Sequence, residues 1–218
     1  MSMKIINKAN YELQQLKKDC LNLGIEINNV FPIISKMLFG FYLKKNRFYH
    51  NLTHVLAVVK HCRKYAKDHE NLLELILAAW FHDIIYAPRS HNNEALSARV
   101  FERIFLYTNM PRSMIARVKQ YILDTKSHLS YKTPEAAILI DADLKILAAT
   151  NIKYLEYNLN IQKEYDHLSV SNFKNGRIRF LKYFLAQIKN GKIYKYLPET
   201  YNKKAISNVK KELKRLTY

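Results

Sequence analysis

The sequence predicts an all-α protein, folded as a single helical bundle of about eight to ten helices. Apolar residues recur at spacings of three and four almost throughout the chain, which is typical of amphipathic helices. The 218 residues include only 4 Gly and 5 Pro, too few for the many tight turns of a β-sandwich or barrel. Apolar residue types make up 49% of the chain, which excludes general disorder.

The same spacing places the individual helices. We expect them near residues 3–22, 30–44, 51–68, 71–85, 93–108, 111–126, 134–149, 151–166, 171–189 and 198–216. The segment AAILIDADL has the composition of a short strand, but its position between helical patterns favours a helix. One domain over 1–218 is expected, with the chemistry-bearing motifs in 47–147 and basic helices in 170–216.

Local signals mark several helix ends. Thr133 precedes a Pro and a Glu, the pattern of an N-cap followed by Pro at the first helical position and an acid in the first turn. Gly24, Gly40 and Gly191 lie where the predicted helices stop, and glycine is the commonest residue just past a helix end.

The chain is strongly basic. It has 36 Lys and Arg against 18 Asp and Glu, a net charge of +18. Residues 189–218 carry nine Lys or Arg against Glu199 and Glu212 only. Such a field attracts phosphate groups, nucleic acid or an anionic membrane surface. The alternative is that these lysines form solvated faces, and we interpret the C-terminal segment first as a solvated amphipathic helix.

Two features indicate a cytoplasmic protein. Cys20 and Cys62 are the only cysteines, too few for a disulfide framework and compatible with a reducing compartment. The longest apolar run, LILAAWF at 75–81, is too short to span a bilayer.

Histidines begin the third predicted helix at a spacing that places them on one face. His50 and His54 are four residues apart, and His61 follows seven beyond His54. Paired imidazoles at this spacing can hold a metal ion, although histidines also cap helices or fill cores.

His82 and Asp83 end the most apolar predicted helix. An ionised Asp beside Trp80, Phe81 and Ile84 is costly to bury unless it has a partner or a metal ion. The alternative is that His82 and Asp83 end the helix at the protein surface and reach solvent.

Two carboxylates interrupt the apolar run at 138–147. Asp141 and Asp143 point to different faces of a helix, so at most one faces inward easily. A purely structural interpretation makes Asp141 an N-cap and Asp143 a surface residue. Together with the histidines, they form a mixed nitrogen and oxygen donor set that suits Mn, Fe, Ni, Co or Mg.

The order of these residues resembles the HD superfamily of metal-dependent phosphohydrolases. Five blocks look like one bacterial subgroup of predicted HD phosphohydrolases: Arg47-x-Tyr49-His50-Asn51-Leu52-x-His54, WFHDIIY, Asn93-Glu94-x-x-Ser97-Ala98, Thr125-x-x-His128 and Asp141-Ala142-Asp143-Leu144. Glu164-Tyr165 and Gly176-Arg177 continue the likeness, which covers about residues 40–212.

The resemblance implies one divalent metal ion, held by His54, His82, Asp83 and Asp143. It favours His54 over His50 because His54 lies in a His-x-x-x-Val pattern, and Asp143 over Asp141 because Asp143 lies in an Ala-Asp-x-Leu pattern. His50 would then orient a ligand, a loop or the substrate. His128 corresponds to a position that supplies a further ligand or a phosphate contact in some relatives.

The resemblance also implies hydrolysis of a phosphate ester, with a nucleotide or a related small phosphoester as the expected substrate. Asp83 would ligate the metal and align the attacking water. Glu94 is the candidate acid or base, because it is a carboxylate at a helix start just beyond these residues; the alternative is that it caps that helix or complements its dipole. The side chains expected to neutralise the phosphate are Arg47, Arg99, Lys126 and Arg177. Many HD enzymes have Gly-Lys after the dipeptide, where this chain has Ile84-Ile85-Tyr86 and so lacks one cation.

Two other classes of function stay open. The scaffold could be a catalytically silent module that binds a nucleotide, or the positive charge could make the chain a nucleic-acid-binding protein. A homodimer is also possible through aromatic-rich segments such as Tyr154–Tyr157, although we expect these to pack in the core.

Overall fold

In the computed structural model, residues 2–128, 133–191 and 193–217 are described. They form ten α-helices and one short 3₁₀ helix at Lys145–Ala148, with no strand among them, which confirms the all-α prediction. The α-helices are α1 (Met3–Asn22), α2 (Phe31–Tyr42), α3 (Leu52–Tyr65), α4 (Leu72–Phe81), α5 (Asn93–Phe105), α6 (Arg112–Asp124), α7 (Pro134–Leu144), α8 (Asn151–Glu164), α9 (Val170–Lys189) and α10 (Glu199–Thr217). The segment AAILIDADL lies within α7.

Most of the predicted helix ends have the expected chemistry. The Thr133 side chain accepts a hydrogen bond from the backbone N–H of Ala136, as the N-cap prediction requires. Gly24 and Gly191 follow helices with φ of +71° and +65°, values that other residues adopt with difficulty. The prediction for Gly40 was wrong: it lies inside α2, which continues to Tyr42.

The most apolar helix ends earlier than predicted. α4 stops at Phe81, so His82 is its C-cap residue and Asp83 lies in the turn that follows. The Arg47 guanidinium binds the turn that follows, donating to the carbonyls of Asp83 at 2.6 Å and of Ile84 at 2.7 Å. These two carbonyls are thereby satisfied by a side chain beyond the end of the helix.

The core consists of two apolar clusters, and α7 belongs to both. Ile138 and Leu139 pack into a cluster formed with α1 to α6, whereas Ile140 and Leu144 pack into a second cluster with α8, α9 and α10. Asp141 and Asp143, the two aspartates of α7, therefore lie where the two clusters meet.

The basic C-terminal segment is an amphipathic helix. α10 buries Ala205, Asn208, Val209 and Glu212 at helical spacing and exposes most of its lysines. Within the described ranges, no helix combines the length and the apolar character needed to cross a membrane. Cys20 and Cys62 are both buried free thiols. The cytoplasmic localisation stays a prediction.

Candidate metal centre and its cavity

Four side chains from three parts of the fold converge at one point. His54 lies in the first turn of α3, His82 and Asp83 follow α4, and Asp143 lies near the end of α7. The Asn51 side chain caps α3 by accepting the N–H of Thr53. His82 keeps helical backbone angles as the C-cap of α4, and Asp83 follows it in the turn. Both side chains lie near His54.

The donor atoms of this cluster are separated as ligands of one ion are. His54 Nε2 lies 3.3 Å from His82 Nε2, 3.3 Å from Asp143 Oδ1 and 3.6 Å from Asp83 Oδ2. His82 Nε2 lies 3.3 Å from Asp83 Oδ2 and 3.9 Å from Asp143 Oδ1. Ligand atoms about 2.1 Å from one ion, at angles of about 90–110°, are about 3.0–3.4 Å apart. His54, His82 and Asp143 therefore offer donor atoms that fit one divalent metal ion, and Asp83 lies beside both histidines.

The hydrogen bonding of His82 also suits a ligand. Its Nδ1 lies 2.9 Å from the carbonyl oxygen of Ala79 and donates to it, so in the neutral ring the lone pair is on Nε2, the nitrogen that faces the cluster. The His82 side chain is buried, with 1% of its surface exposed, and this fixes the ring. An imidazole ring with this orientation is suited to bind a metal ion through Nε2, and the binding releases any proton carried there.

Electrostatics keep the two carboxylates ionised. Burial opposes ionisation of Asp83, but the neighbouring His82 outweighs it and holds the pKa of Asp83 well below its usual range. The pKa of Asp143 is likewise well below its usual value despite burial, because His128 and His54 hydrogen-bond to it. Burial favours neutral His82, yet Asp83 raises the pKa of His82 to about 9. The cluster thus attracts positive charge strongly.

His128 binds the second oxygen of Asp143. Its Nε2 lies 3.0 Å from Asp143 Oδ2, while Oδ1 faces His54. The backbone of His128 has a φ of +55°, in the left-handed region that few residues other than glycine adopt. Such conformations concentrate at functional sites. His128 therefore orients the carboxylate of Asp143.

Asp141 has a different role from Asp143. It is buried, and its carboxylate accepts the backbone N–H groups of Tyr194 at 2.6 Å and Tyr196 at 2.8 Å. The Tyr194 hydroxyl returns to α7 by donating to the carbonyl of Leu144 at 2.6 Å. Neither structural alternative from the sequence holds, since Asp141 is not an N-cap and Asp143 is not a surface residue. Asp141 instead fastens the segment after α9 to α7.

His50 is held by a carboxylate outside the cluster. Glu164 accepts the N–H groups of Tyr49 and His50, and its Oε2 lies 2.6 Å from His50 Nδ1. The His50 ring stacks on Tyr86 with a centroid separation of 3.9 Å. Despite burial, the hydrogen bond to Glu164 raises the pKa of His50 above its usual value. The segment before α3 is thereby fixed to the end of α8.

A cavity of about 380 Å³ opens beside the cluster. Asp83, Asp143, His50, His128 and Glu94 contribute to its wall. Glu94 lies in the first turn of α5 and makes no hydrogen bond or ion pair with another described side chain. Its carboxylate is thus available to a bound molecule, as the proposed acid or base requires.

Three of the cations expected at the phosphate lie elsewhere. Arg47 donates to the backbone behind the cluster and does not line the cavity. Arg99 is exposed on α5, and Lys126 is exposed and donates to the carbonyl of His91 at 2.8 Å. Their positions therefore do not match the expectation that they contact a phosphate.

Arg177 does line the cavity, but its charge is already neutralised. Its Nε and one terminal nitrogen contact the Glu212 carboxylate at 2.9 and 3.2 Å. Its other contacts are the Tyr157 hydroxyl at 3.0 Å and Asn158 Oδ1 at 2.9 Å. Although burial opposes it, this environment raises the pKa of Arg177 above its usual value. Arg177 thus ties α9 to α8 and α10.

The sequence interpretation missed the aromatic wall of the cavity, which consists of Tyr49, Tyr86, Tyr157, Tyr165, Phe173 and Phe180. Only the spacing of seven between Phe173 and Phe180 signals a shared helix face, and such spacing is equally typical of a core. Tyr154 and Tyr157 are buried in the second core cluster, as expected of core residues.

A comparison with known families agrees with this geometry. A family model described as HD domain matches residues 51–144, a segment that contains all four converging side chains. No curated protein and no solved structure matches the chain. The bacterial subgroup suggested by the motifs stays a prediction, and Glu164 and Arg177 lie outside the matched segment.

Proposed function

Because residues 51–144 of this chain form an HD domain, we propose that the protein is a metal-dependent phosphohydrolase that cleaves a small phosphate ester, with nucleotides among the candidates. HD domains are typical of such enzymes. The observation that carries the proposal is the convergence of His54, His82 and Asp143, whose donor atoms all lie within 4.8 Å of one another at the end of a cavity. Asp83 Oδ2 lies 3.6 Å from His54 Nε2 and 3.3 Å from His82 Nε2. A mixed nitrogen and oxygen set of this kind suits Mn, Fe, Ni, Co or Mg.

A divalent ion bound by these four residues would polarise a phosphoryl oxygen and lower the pKa of a coordinated water. The chain itself supplies the orientation of the ligands. His128 holds Asp143 through Oδ2, and the carbonyl of Ala79 holds His82 through Nδ1. Such supporting hydrogen bonds commonly determine metal affinity.

Glu94 is the proposed general acid or base. It lines the cavity with Asp83 and Asp143, and no described partner engages its carboxylate. A carboxylate in this position can give a proton to a leaving alkoxide or take one from water. His50, also on the cavity wall, is held by Glu164 and is proposed to contact the substrate.

The test is elemental analysis of protein purified without added metal. We expect about one transition-metal ion per chain in the wild type, and its loss in His54→Ala and in Asp143→Ala. His91→Ala, at an exposed histidine, is the matched control and should keep the metal. Metal-loaded wild type should then hydrolyse a member of a phosphoester panel. Unchanged metal content in both cluster variants, also after soaking in Mn or Ni, would contradict the ligand assignment.

Nucleic-acid binding is a second candidate, favoured by one observation. A groove of about 370 Å³ between α8 and α10 is lined by Lys211, Lys214 and Arg215 together with Asn151. Cations along a groove suit a phosphate backbone. Affinity for DNA or RNA that falls steeply with salt, and less steeply after replacement of these three cations, would support this candidate. Saturable binding of a nucleotide without its hydrolysis would instead indicate that the protein is a nucleotide-binding module without catalytic activity.

A further inference from the structure

Aromatic side chains form a third of the residues that line the cavity beside the metal centre. Six rings line it, those of Tyr49, Tyr86, Tyr157, Tyr165, Phe173 and Phe180. Several of them are held by one another: the centroids of Tyr49 and Tyr157 are 4.6 Å apart with an edge-on arrangement, and those of Tyr165 and Phe173 are 6.2 Å apart. The surface is therefore formed before a ligand binds, and it favours a planar apolar group.

Carboxylates dominate the charge of the wall, where Asp83, Asp143 and Glu94 lie. Among the described lining residues Arg177 is the one Lys or Arg, and its guanidinium faces Glu212 at 2.9 and 3.2 Å. The two histidines on the wall, His50 and His128, also each face a carboxylate. A bound divalent ion would thus be the main positive centre that a phosphoryl oxygen could contact there.

We infer that the substrate carries a single phosphoryl group on an aromatic organic group, which packs against Phe173 and Phe180 while the phosphoryl group lies at the metal centre. This inference rests on the proposed phosphohydrolase function and specifies its substrate class. Polyphosphates are disfavoured on this basis, because their additional anionic groups would face carboxylates, with no free Lys or Arg among the described lining residues. Phosphate esters without an aromatic group are disfavoured because they would leave the rings of Phe173 and Phe180 without a packing partner.

The first test is binding of two phosphonates that cannot be hydrolysed. Calorimetry on the Mn-loaded, full-length protein should show phenylphosphonate binding at least about tenfold more tightly than methylphosphonate. In Phe173→Ala and in Phe180→Ala the ratio of the two affinities should fall toward one. Both rings are only half-buried, so these variants are expected to fold. Tyr107→Ala, at a ring that is 85% exposed and outside the cavity, is the control and should keep the wild-type ratio.

The second test compares turnover. We expect kcat/KM for phenyl phosphate to exceed that for glycerol phosphate and for a nucleoside triphosphate by at least about tenfold. A nucleoside monophosphate has an aromatic base and one phosphoryl group, so we expect its kcat/KM to be close to that of phenyl phosphate. Equal affinities of the two phosphonates, or equal rates on all esters, would overturn the substrate class and leave the phosphohydrolase function standing. Binding of neither phosphonate and hydrolysis of no ester would overturn both.

Discussion

The carboxylate of Glu164 lies 2.6 Å from Nδ1 of His50, although the two residues are 114 positions apart in the chain. This contact joins the end of α8, outside the matched HD domain, to the segment that leads into the first helix of the metal centre. Residues of the matched segment and residues of the C-terminal helices therefore line the same cavity.

Glu164→Gln should destabilise the protein by about 2 kcal/mol, because the buried carboxylate accepts two backbone N–H groups as well as the His50 ring. Urea unfolding of the metal-free protein measures the change. Glu156→Gln, at an exposed position of the same helix, is the control and should stay within about 0.5 kcal/mol of wild type. A loss as small as that of the control would show that the contact contributes little.

Substitution of Asp143 should reduce metal affinity, whereas substitution of Asp141 should reduce the stability of the fold. Asp143→Asn should lower metal affinity by about 10- to 100-fold, since the carboxylate faces two imidazole nitrogens. Asp141→Asn should leave metal affinity unchanged and cost about 1–3 kcal/mol of stability, because one of its two N–H donors loses an acceptor oxygen. Metal titration and urea unfolding of both variants test this, and the reverse pattern would contradict the assignment.

The helices could be predicted from the sequence because their apolar spacing is local. The contact that holds the turn after α4 could not, since it joins Asp83 to Arg47, a residue 36 positions away in the chain.

The residues of the candidate metal centre could be predicted because their order and context resemble a family, whereas the contacts of the cations could not. Arg177 was expected at a phosphate, but only the fold shows that Glu212 lies against it. Nothing in the spacing of α9 and α10 marks that pair, because each residue also fits the pattern of a solvated face. The aromatic wall was missed for the same reason: a half-buried Phe that lines a cavity has the same helical spacing as a core Phe.

His61 should make stability depend on pH. It is buried on α3, its Nδ1 lies 3.2 Å from Lys145 Nζ, and its ring stacks on Tyr65. Burial and this cation lower the pKa of His61 to about 3. The folded state therefore favours neutral His61, so this contribution to stability is complete above the unfolded pKa of about 6.5 and declines as the pH falls toward 3.

Between these limits the free energy of unfolding should fall by at most about 1.4 kcal/mol per pH unit on account of His61. Urea unfolding of metal-free protein at several pH values measures the slope. In His61→Gln the slope should be shallower over the same range. An identical slope in the variant would show that His61 titrates normally.

Arg177 should stabilise the fold through its ion pair with Glu212. The stability lost on replacing Arg177 should therefore be regained when Glu212 is replaced as well. Arg177→Met leaves the buried carboxylate of Glu212 without its cation and should cost about 3–5 kcal/mol. The double variant Arg177→Met, Glu212→Leu removes both charges and should recover much of that loss, as replaced buried ion pairs often do. Arg179→Met, at an exposed position of α9, is the control and should change stability by less than about 0.5 kcal/mol. Urea unfolding of the four proteins gives the coupling directly. If Arg177 instead neutralised substrate, Arg177→Met would keep its stability and lose affinity for phenylphosphonate, and the double variant would recover nothing.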